Sequence, residues 1–302
     1  MQKQLSGLIP APYTPMKKDG SLHLSVIEQQ AEALISSGVN GAFICGTNGE
    51  GLSLTIDERM KVAERWQSVV NAHLPVIVHV GHTCLADSKI LAVHAQKIGA
   101  FAIATIGPCY FKPERIEDLV AYCVEIAATA PELPFYYYHI PSMSGVALPM
   151  FDFLKVAVEC VPNLAGVKFS HGDLMDFGQC VHLDDGRFNM LFGSDENLLA
   201  AVALGTDGAV GSTYNFAASL YHRLLKAYEA GDMTTARMEQ AQSRRFITAL
   251  KKFGGVVSGK AVMKMIGIDC GPVRLPLRNL TSEQYESLYT ELEKIGFFDI
   301  IS

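Results

Sequence analysis

Lys168 lies in Ala165-Gly166-Val167-Lys168-Phe169-Ser170, an apolar run short enough to be a buried strand. A cation there either snorkels to water along its aliphatic stem or is desolvated, and desolvation favours the neutral amine. Free lysine titrates near 10.4, so poising it close to neutrality takes about 4 kcal/mol of differential interaction. A neutral amine can attack a ketone and form an imine. The run Phe135-Tyr136-Tyr137-Tyr138-His139-Ile140-Pro141 is a second candidate. Strand alternation sends Tyr136 and Tyr138 to one face and Tyr137 and His139 to the other. A phenol at the strand's C-terminal end can move a proton beside an imine, although tyrosines also simply fill core volume in strands.

Three further segments bring polar groups. Gly46-Thr47-Asn48-Gly49-Glu50-Gly51 is either an ordinary glycine-rich turn or a cradle whose backbone N–H groups and Thr47 hydroxyl face an anion. Gly193-Ser194-Asp195-Glu196 offers adjacent acids for hydroxyl recognition or general-base work, or else an N-cap for the helix that follows. Gly211-Ser212-Thr213-Tyr214-Asn215 adds hydroxyls and an amide. By contrast, Gly254-Gly255-Val256-Val257-Ser258-Gly259-Lys260-Ala261 fits G-x-x-x-x-G-K but has Ala261 where a P-loop needs Ser or Thr for magnesium, and no strand precedes it. It reads as a helix–helix turn covering the mouth of the fold.

These segments need a scaffold that gathers them. Short apolar runs at 8–11, 41–45, 76–80, 102–106, 135–139, 165–169, 190–192 and 208–211 are expected strands. Several are apolar throughout, as in parallel sheets covered on both faces. Amphipathic patterns at 26–35, 56–70, 88–98, 116–129, 150–158, 174–181, 196–203 and 217–230 are expected helices. Thr55 with Asp57 and Glu58 marks one helix start, and Gly38, Gly99 and Gly205 mark stops. Alternating strand–helix units predict an α/β protein, a (β/α)8 TIM barrel over residues 1–230. Additional C-terminal helices at 233–250, 260–266 and 282–295 form an extension, 231–302, packed on the same domain. A doubly wound sheet shares the alternation, but no G-x-G-x-x-G follows the first strand. In the barrel, the ends of strands two, five, six, seven and eight put their polar groups on one rim, where barrel active sites sit.

Composition agrees with a large buried core: 49% of the 302 residues are hydrophobic and 19% are charged. The net charge of −6 is mild and spread along the chain, which argues against nucleic acid or an anionic membrane as partner. Runs such as 198–204 are too short to span a bilayer. The N-terminus carries Lys3 but meets Pro10 and Pro12 before any long apolar segment, so no secretory signal is expected, and the protein reads as soluble and cytoplasmic. Seven scattered cysteines without C-x-x-C, and nine histidines without H-E-x-x-H, support neither a disulfide framework nor a metal site.

Loop 46–51, Tyr138-x-x-Pro141 and Gly166-Val167-Lys168, in this order and spacing, resemble the N-acetylneuraminate lyase and dihydrodipicolinate synthase superfamily. The likeness covers nearly the whole chain, including Gly271-Pro272 and Leu275-Pro276 in its tail. It implies a (β/α)8 barrel, commonly a homotetramer, that performs class I aldol chemistry without metal or organic cofactor, through a Schiff base at Lys168. By the same resemblance Tyr138 relays a proton during C–C cleavage, and Thr47 with Asn48 and the adjoining loop holds the pyruvate carboxylate. Ser170, Gly193, Asp195, Glu196 and Ser212 match positions that contact the sugar's hydroxyl chain, and Tyr110 matches a tyrosine that reaches into a neighbouring subunit's site.

Within the superfamily, synthases usually carry an arginine shortly after the proline of the tyrosine element. Here Met143 stands near that place, and a thioether cannot make a bidentate contact to a carboxylate. The runs 136–141, 168–170, 176–180 and 211–215 look like those of sialic acid lyases, especially the animal-type branch. The implied reaction is the reversible cleavage of N-acetylneuraminate to N-acetylmannosamine and pyruvate. The alternatives are another pyruvate-dependent aldolase (dihydrodipicolinate synthase or a 2-keto-3-deoxy sugar acid aldolase) and a non-catalytic sugar-acid-binding regulator. Asn48 stands where relatives usually have Thr or Ser, and Phe43 replaces a tyrosine of some bacterial lyases.

Overall fold

Runs that are apolar on both faces can be satisfied only between two layers, and the chain places them so. A computed structural model describes residues 4–301; Lys3 and Ser302, with Met1 and Gln2, lie outside them. The strands are β1 (Gly7–Pro10), β2 (Ala42–Ile44), β3 (Val76–His79), β4 (Ala102–Thr105), β5 (Phe135–His139), β6 (Leu164–Phe169), β7 (Asn189–Phe192) and β8 (Gly208–Gly211). All seven ladders are parallel, in the order β1-β8-β7-β6-β5-β4-β3-β2. The β1–β2 seam is bridged by Asn40, whose amide N–H donates to the Leu8 carbonyl and whose Oδ1 accepts from the Leu8 N–H. The result is a nearly closed (β/α)8 barrel, as the alternation predicts.

Helices cover the barrel: α1 (Val26–Ser36), α2 (Ile56–Val70), α3 (Leu85–Lys97), α4 (Ile116–Ala127), α5 (Met150–Cys160), α6 (Leu174–His182), α7 (Leu198–Ala203) and α8 (Tyr214–Glu229). Thr55 starts α2 with a complete capping box: its side chain accepts from the Glu58 N–H and Glu58 accepts from the Thr55 N–H. Past α8 come α9 (Met233–Lys252), α10 (Gly255–Met265), α11 (Ser282–Lys294) and α12 (Phe297–Ile301). Phe216 of α8, Phe246 of α9 and Phe297 of α12 pack edge to face, which fixes these helices to the barrel's outer layer.

Two apolar clusters result. One lies inside the barrel and includes Ile9, Phe43, Ile77, Tyr136, Tyr138, Leu191 and Val210. The other lies between strands and helices and includes Tyr137, Phe153, Val167 and Phe169. The expected split of Tyr136 and Tyr138 from Tyr137 is therefore the split between these two layers. At the lower end of the interior, Tyr136 donates to Asn189 Oδ1 at 2.9 Å, and Asn189 bonds both backbone groups of Leu5.

Two expected elements are corrected. The turn expected over 254–260 is helix, since α10 begins at Gly255 instead of residue 260. Gly259 serves close packing there: a Cβ would lie 1.9 Å from the Tyr13 hydroxyl. Tertiary contact thus overrides the low helix propensity of the run. The helix expected from 196 begins at Leu198, after a single 3-10 turn at Asp195–Asn197. Ser194 makes no side-chain cap bond, so the N-cap alternative is not realised.

Candidate active site

The C-terminal strand ends of the barrel surround a cavity of about 210 Å³. Its walls include Thr47 and Asn48 after β2, Tyr138 on β5, Lys168 on β6, Ser170 just beyond, Gly193, Asp195 and Glu196 after β7, and Ser212 and Thr213 after β8. The rim expected from the sequence is therefore one continuous wall. Its centre comes from register: Tyr138 and Lys168 are paired across the β5–β6 ladder, so both side chains enter the interior at one level.

Lys168 is buried, at 4% exposure, and points into the barrel. Its Nζ lies 3.8 Å from the ring centroid of Phe43 and 3.8 Å from that of Tyr138. The two rings meet near edge-on, with centroids 5.5 Å apart. Burial lowers the lysine's pKa to about 7, against an opposing pull from Asp195. Aromatic faces favour the ammonium somewhat, but they cannot replace its lost hydration. The amine is therefore available in neutral form near neutral pH, the requirement for attack on a carbonyl.

The Tyr138 hydroxyl stands 3.5 Å from Thr47 Oγ1, and the Thr47 and Ser170 side chains both act to lower its pKa. Burial raises its pKa, so the phenol is neutral and suited to passing a proton on. Loop 46–51 is tightly wound: the Gly51 N–H donates to the Gly46 carbonyl, and Thr14 Oγ1 donates to the Gly49 carbonyl at 2.7 Å. Asn48 Nδ2 donates to the Ala11 carbonyl at 3.0 Å, as does Asn215 Nδ2 at 2.8 Å. The Asn48 amide thus joins this loop to the segment after β1.

On the opposite wall, Asp195 is buried and burial raises its pKa. Its Oδ2 accepts from the Thr213 N–H at 2.8 Å, from Thr213 Oγ1 at 2.6 Å and from Ser212 Oγ at 3.4 Å. This oxygen holds the β8 loop, and the other packs against Gly211 at the end of β8. Gly193 is forced by space, because a Cβ would lie 1.9 Å from Ser170 Oγ. Glu196 reaches the rim, where its carboxylate pairs with Lys251 of α9 at 2.6 Å.

The sequence profile described as the dihydrodipicolinate synthetase family matches residues 4–295. The chain belongs to that family. Among curated relatives, N-acetylneuraminate lyase of Rattus norvegicus is 44% identical over 301 residues, covering 98% of this chain and 94% of the relative. Among solved structures, Proteus mirabilis N-acetylneuraminate lyase superposes with a TM-score of 0.95 at 42% identity, covering 98% of this chain and all of that one. N-acetylneuraminate lyase of Aliivibrio salmonicida gives the same score and identity over 98% of both chains.

Two further residues lie outside the Lys168 cavity of this dihydrodipicolinate synthetase family member. Tyr110 is 79% exposed on the loop after β4, edge to face with Phe111 at 4.9 Å between centroids, and does not line the Lys168 cavity. Met143, also exposed, lines an apolar cleft of about 250 Å³ on the far side of Tyr138. Other contributors carry no local sequence signal. His79 packs its ring edge-on against Tyr138 and is kept neutral by burial and by Arg59. Arg59 is itself buried and donates to the Gly81 and His79 carbonyls. Lys251 enters the wall from the C-terminal helices, as does Gly255. The P-loop-like Lys260 contacts no phosphate cradle; its ammonium is taken by Glu50 and the Pro272 carbonyl.

Proposed function

We propose that the chain is an N-acetylneuraminate lyase, a carbon–carbon lyase that reversibly cleaves N-acetylneuraminate to N-acetylmannosamine and pyruvate. The observation that carries the reading is the Lys168 amine, enclosed between Phe43 and Tyr138 with its pKa lowered to about 7. The names of its full-length relatives support the same substrate.

In this mechanism Lys168 Nζ attacks C2 of the open-chain keto acid, and water leaves to give a protonated imine. Loop 46–51, with Thr47 and Asn48, faces the substrate carboxylate. The C4 hydroxyl loses its proton to Tyr138 as the C3–C4 bond breaks, and the bond's electron pair passes into the iminium to form an enamine. Because burial keeps the phenol neutral, Tyr138 hands on its own proton as it takes this one, by way of the neighbouring Thr47 hydroxyl, and the proton so released is the one that C3 of the enamine takes up. N-acetylmannosamine departs as the aldehyde. Protonation of the enamine at C3 and hydrolysis then free pyruvate and the lysine. The imine serves as the electron sink, so the reaction proceeds without metal or organic cofactor. Ser170, Gly193, Asp195, Glu196 and Ser212 are assigned to the hydroxyl chain.

Met143, apolar and outside the Lys168 cavity, favours this reading over a dihydrodipicolinate synthase, which needs a cation for a second carboxylate. The same proposal includes a barrel at residues 1–230 with an extension at 231–302 on the same domain, a cytoplasmic location and a homotetramer. The exposed Tyr110 and Phe111 support the last, since paired aromatic rings left in water are surface for a second subunit. Among the described residues no helix is long and apolar enough to cross a membrane.

Incubation with pyruvate and borohydride should place a stable adduct on Lys168, and N-acetylneuraminate should release the most pyruvate among a panel of sugar acids. An unlabelled Lys168 would overturn the mechanism. Preferred turnover of another keto sugar acid would overturn the substrate.

A further inference from the structure

The loop that carries Thr47 is joined to the far end of the chain by a buried ion pair. Glu50 follows Thr47 by three residues, and its Oε1 lies 2.7 Å from Nζ of Lys260 on α10, with the two side chains 2% and 4% exposed. The other carboxylate oxygen accepts the Arg274 N–H at 2.8 Å, and Lys260 also donates to the Pro272 carbonyl at 2.8 Å. The Arg274 guanidinium extends the strap, donating to the Gly20 and Ser53 carbonyls and pairing with Glu58.

The loop needs such an anchor. Glu50 has φ 51°, a left-handed conformation that costs a residue with a Cβ on the order of 1–2 kcal/mol. A conformation of this kind persists only where surrounding contacts over-determine it. Gly51 leaves no slack on the barrel side, since a Cβ would meet the Cys45 carbonyl oxygen at 1.8 Å. The loop is thus gripped by Cys45 from within and by Lys260 from without. The opposite wall, built on Asp195 and Thr213, has its own separate hydrogen bonds.

We propose that Glu50 and Lys260 are positioning residues for the pyruvate end of the site. Their ion pair holds loop 46–51 so that Thr47 and the neighbouring N–H groups face the keto-acid carboxylate. The inference rests on the lyase reading above. Its signature is selective: loss of the pair weakens pyruvate binding and spares the sugar end, which the β7 and β8 loops hold.

The test is synthesis from pyruvate and N-acetylmannosamine by the full chain and its Lys260→Met, Glu50→Gln and Lys260→Arg variants, with melting curves for each. Lys260→Met and Glu50→Gln should raise the pyruvate KM about tenfold while the N-acetylmannosamine KM stays within about twofold. Borohydride trapping at Lys168 should need correspondingly more pyruvate and reach the same maximum. Lys260→Arg should recover most of the loss. Should Lys260→Met fail to fold, Glu50→Gln decides, because it keeps the side chain's volume and an acceptor for the Arg274 N–H. The proposal is overturned if a folded variant keeps its pyruvate KM within about twofold, or if both KM values rise together. Absence of a pyruvate adduct in the wild-type protein would instead remove the lyase reading itself.

Discussion

The amine of Lys168 lies 3.8 Å from the centroid of the Tyr138 ring, across the one ladder of the barrel that pairs these two residues directly. Phe43 closes the other side at the same distance, so the cation meets aromatic faces where it would otherwise meet water. Burial sets its pKa near 7. Formation of the pyruvate imine should therefore speed up as pH rises through about 7 and level off above it. Trapping rates measured from pH 5 to pH 10 test this, and a midpoint near 10, that of a solvated lysine, would contradict it.

The same burial makes stability depend on pH. The folded protein releases the Lys168 proton near 7 and the unfolded chain near 10.5, so between those values the unfolded chain binds more protons. The Lys168 contribution to stability therefore rises with pH across that window, and its full cost is present below about 7. Lys168→Met removes the buried cation and keeps an apolar chain of similar length. It should be more stable than the parent by roughly 1–4 kcal/mol near neutral pH, with the gap closing toward pH 10.5. Parallel thermal melts would expose an error if the gap were constant with pH.

Tyr138→Phe removes one oxygen from a buried position and leaves the ring that flanks Lys168. Cleavage kcat should fall about 10²–10⁴-fold, the usual worth of a positioned proton-transfer group. Imine trapping with pyruvate should change far less, because carbonyl attack does not use the C4 hydroxyl. Equal losses in the two assays would remove Tyr138 from the relay.

Gly193→Ala would place a methyl group 1.9 Å from Ser170 Oγ and 3.2 Å from the Phe169 carbonyl oxygen. The Ser170 side chain must turn, which moves its hydroxyl relative to the Tyr138 phenol whose pKa it lowers. Overpacking of this kind costs about 1–3 kcal/mol, and kcat should drop along with the melting temperature. Unchanged kcat in a folded Gly193→Ala protein would mean that Ser170 has no part in holding the phenol.

Strand parity is local, repeating every two residues, so the sequence alone sorted Tyr138 from Tyr137 and set Lys168 in a buried run. Glycine and hydroxyl punctuation likewise marked the loops after β2, β7 and β8 as one rim once the barrel was inferred. The run after Gly254 is helix instead of the expected turn for a physical reason: Gly259 accommodates the Tyr13 hydroxyl, a contact no local pattern encodes. Met143 carried information only as an absence, and Tyr110 only through resemblance.

What the sequence by itself determined was therefore the alternation, the barrel class and the side-chain types on its rim, because these follow from spacing and propensity over short windows. Tertiary structure alone decided that Tyr138 stands opposite Lys168, that Phe43 closes the amine's other side and that Glu50 meets Lys260. The Glu50 carboxylate is also bonded by Arg274, 224 residues further along the chain. Such pairs form only when barrel closure brings distant segments together, and the desolvation that tunes Lys168 exists only once they have.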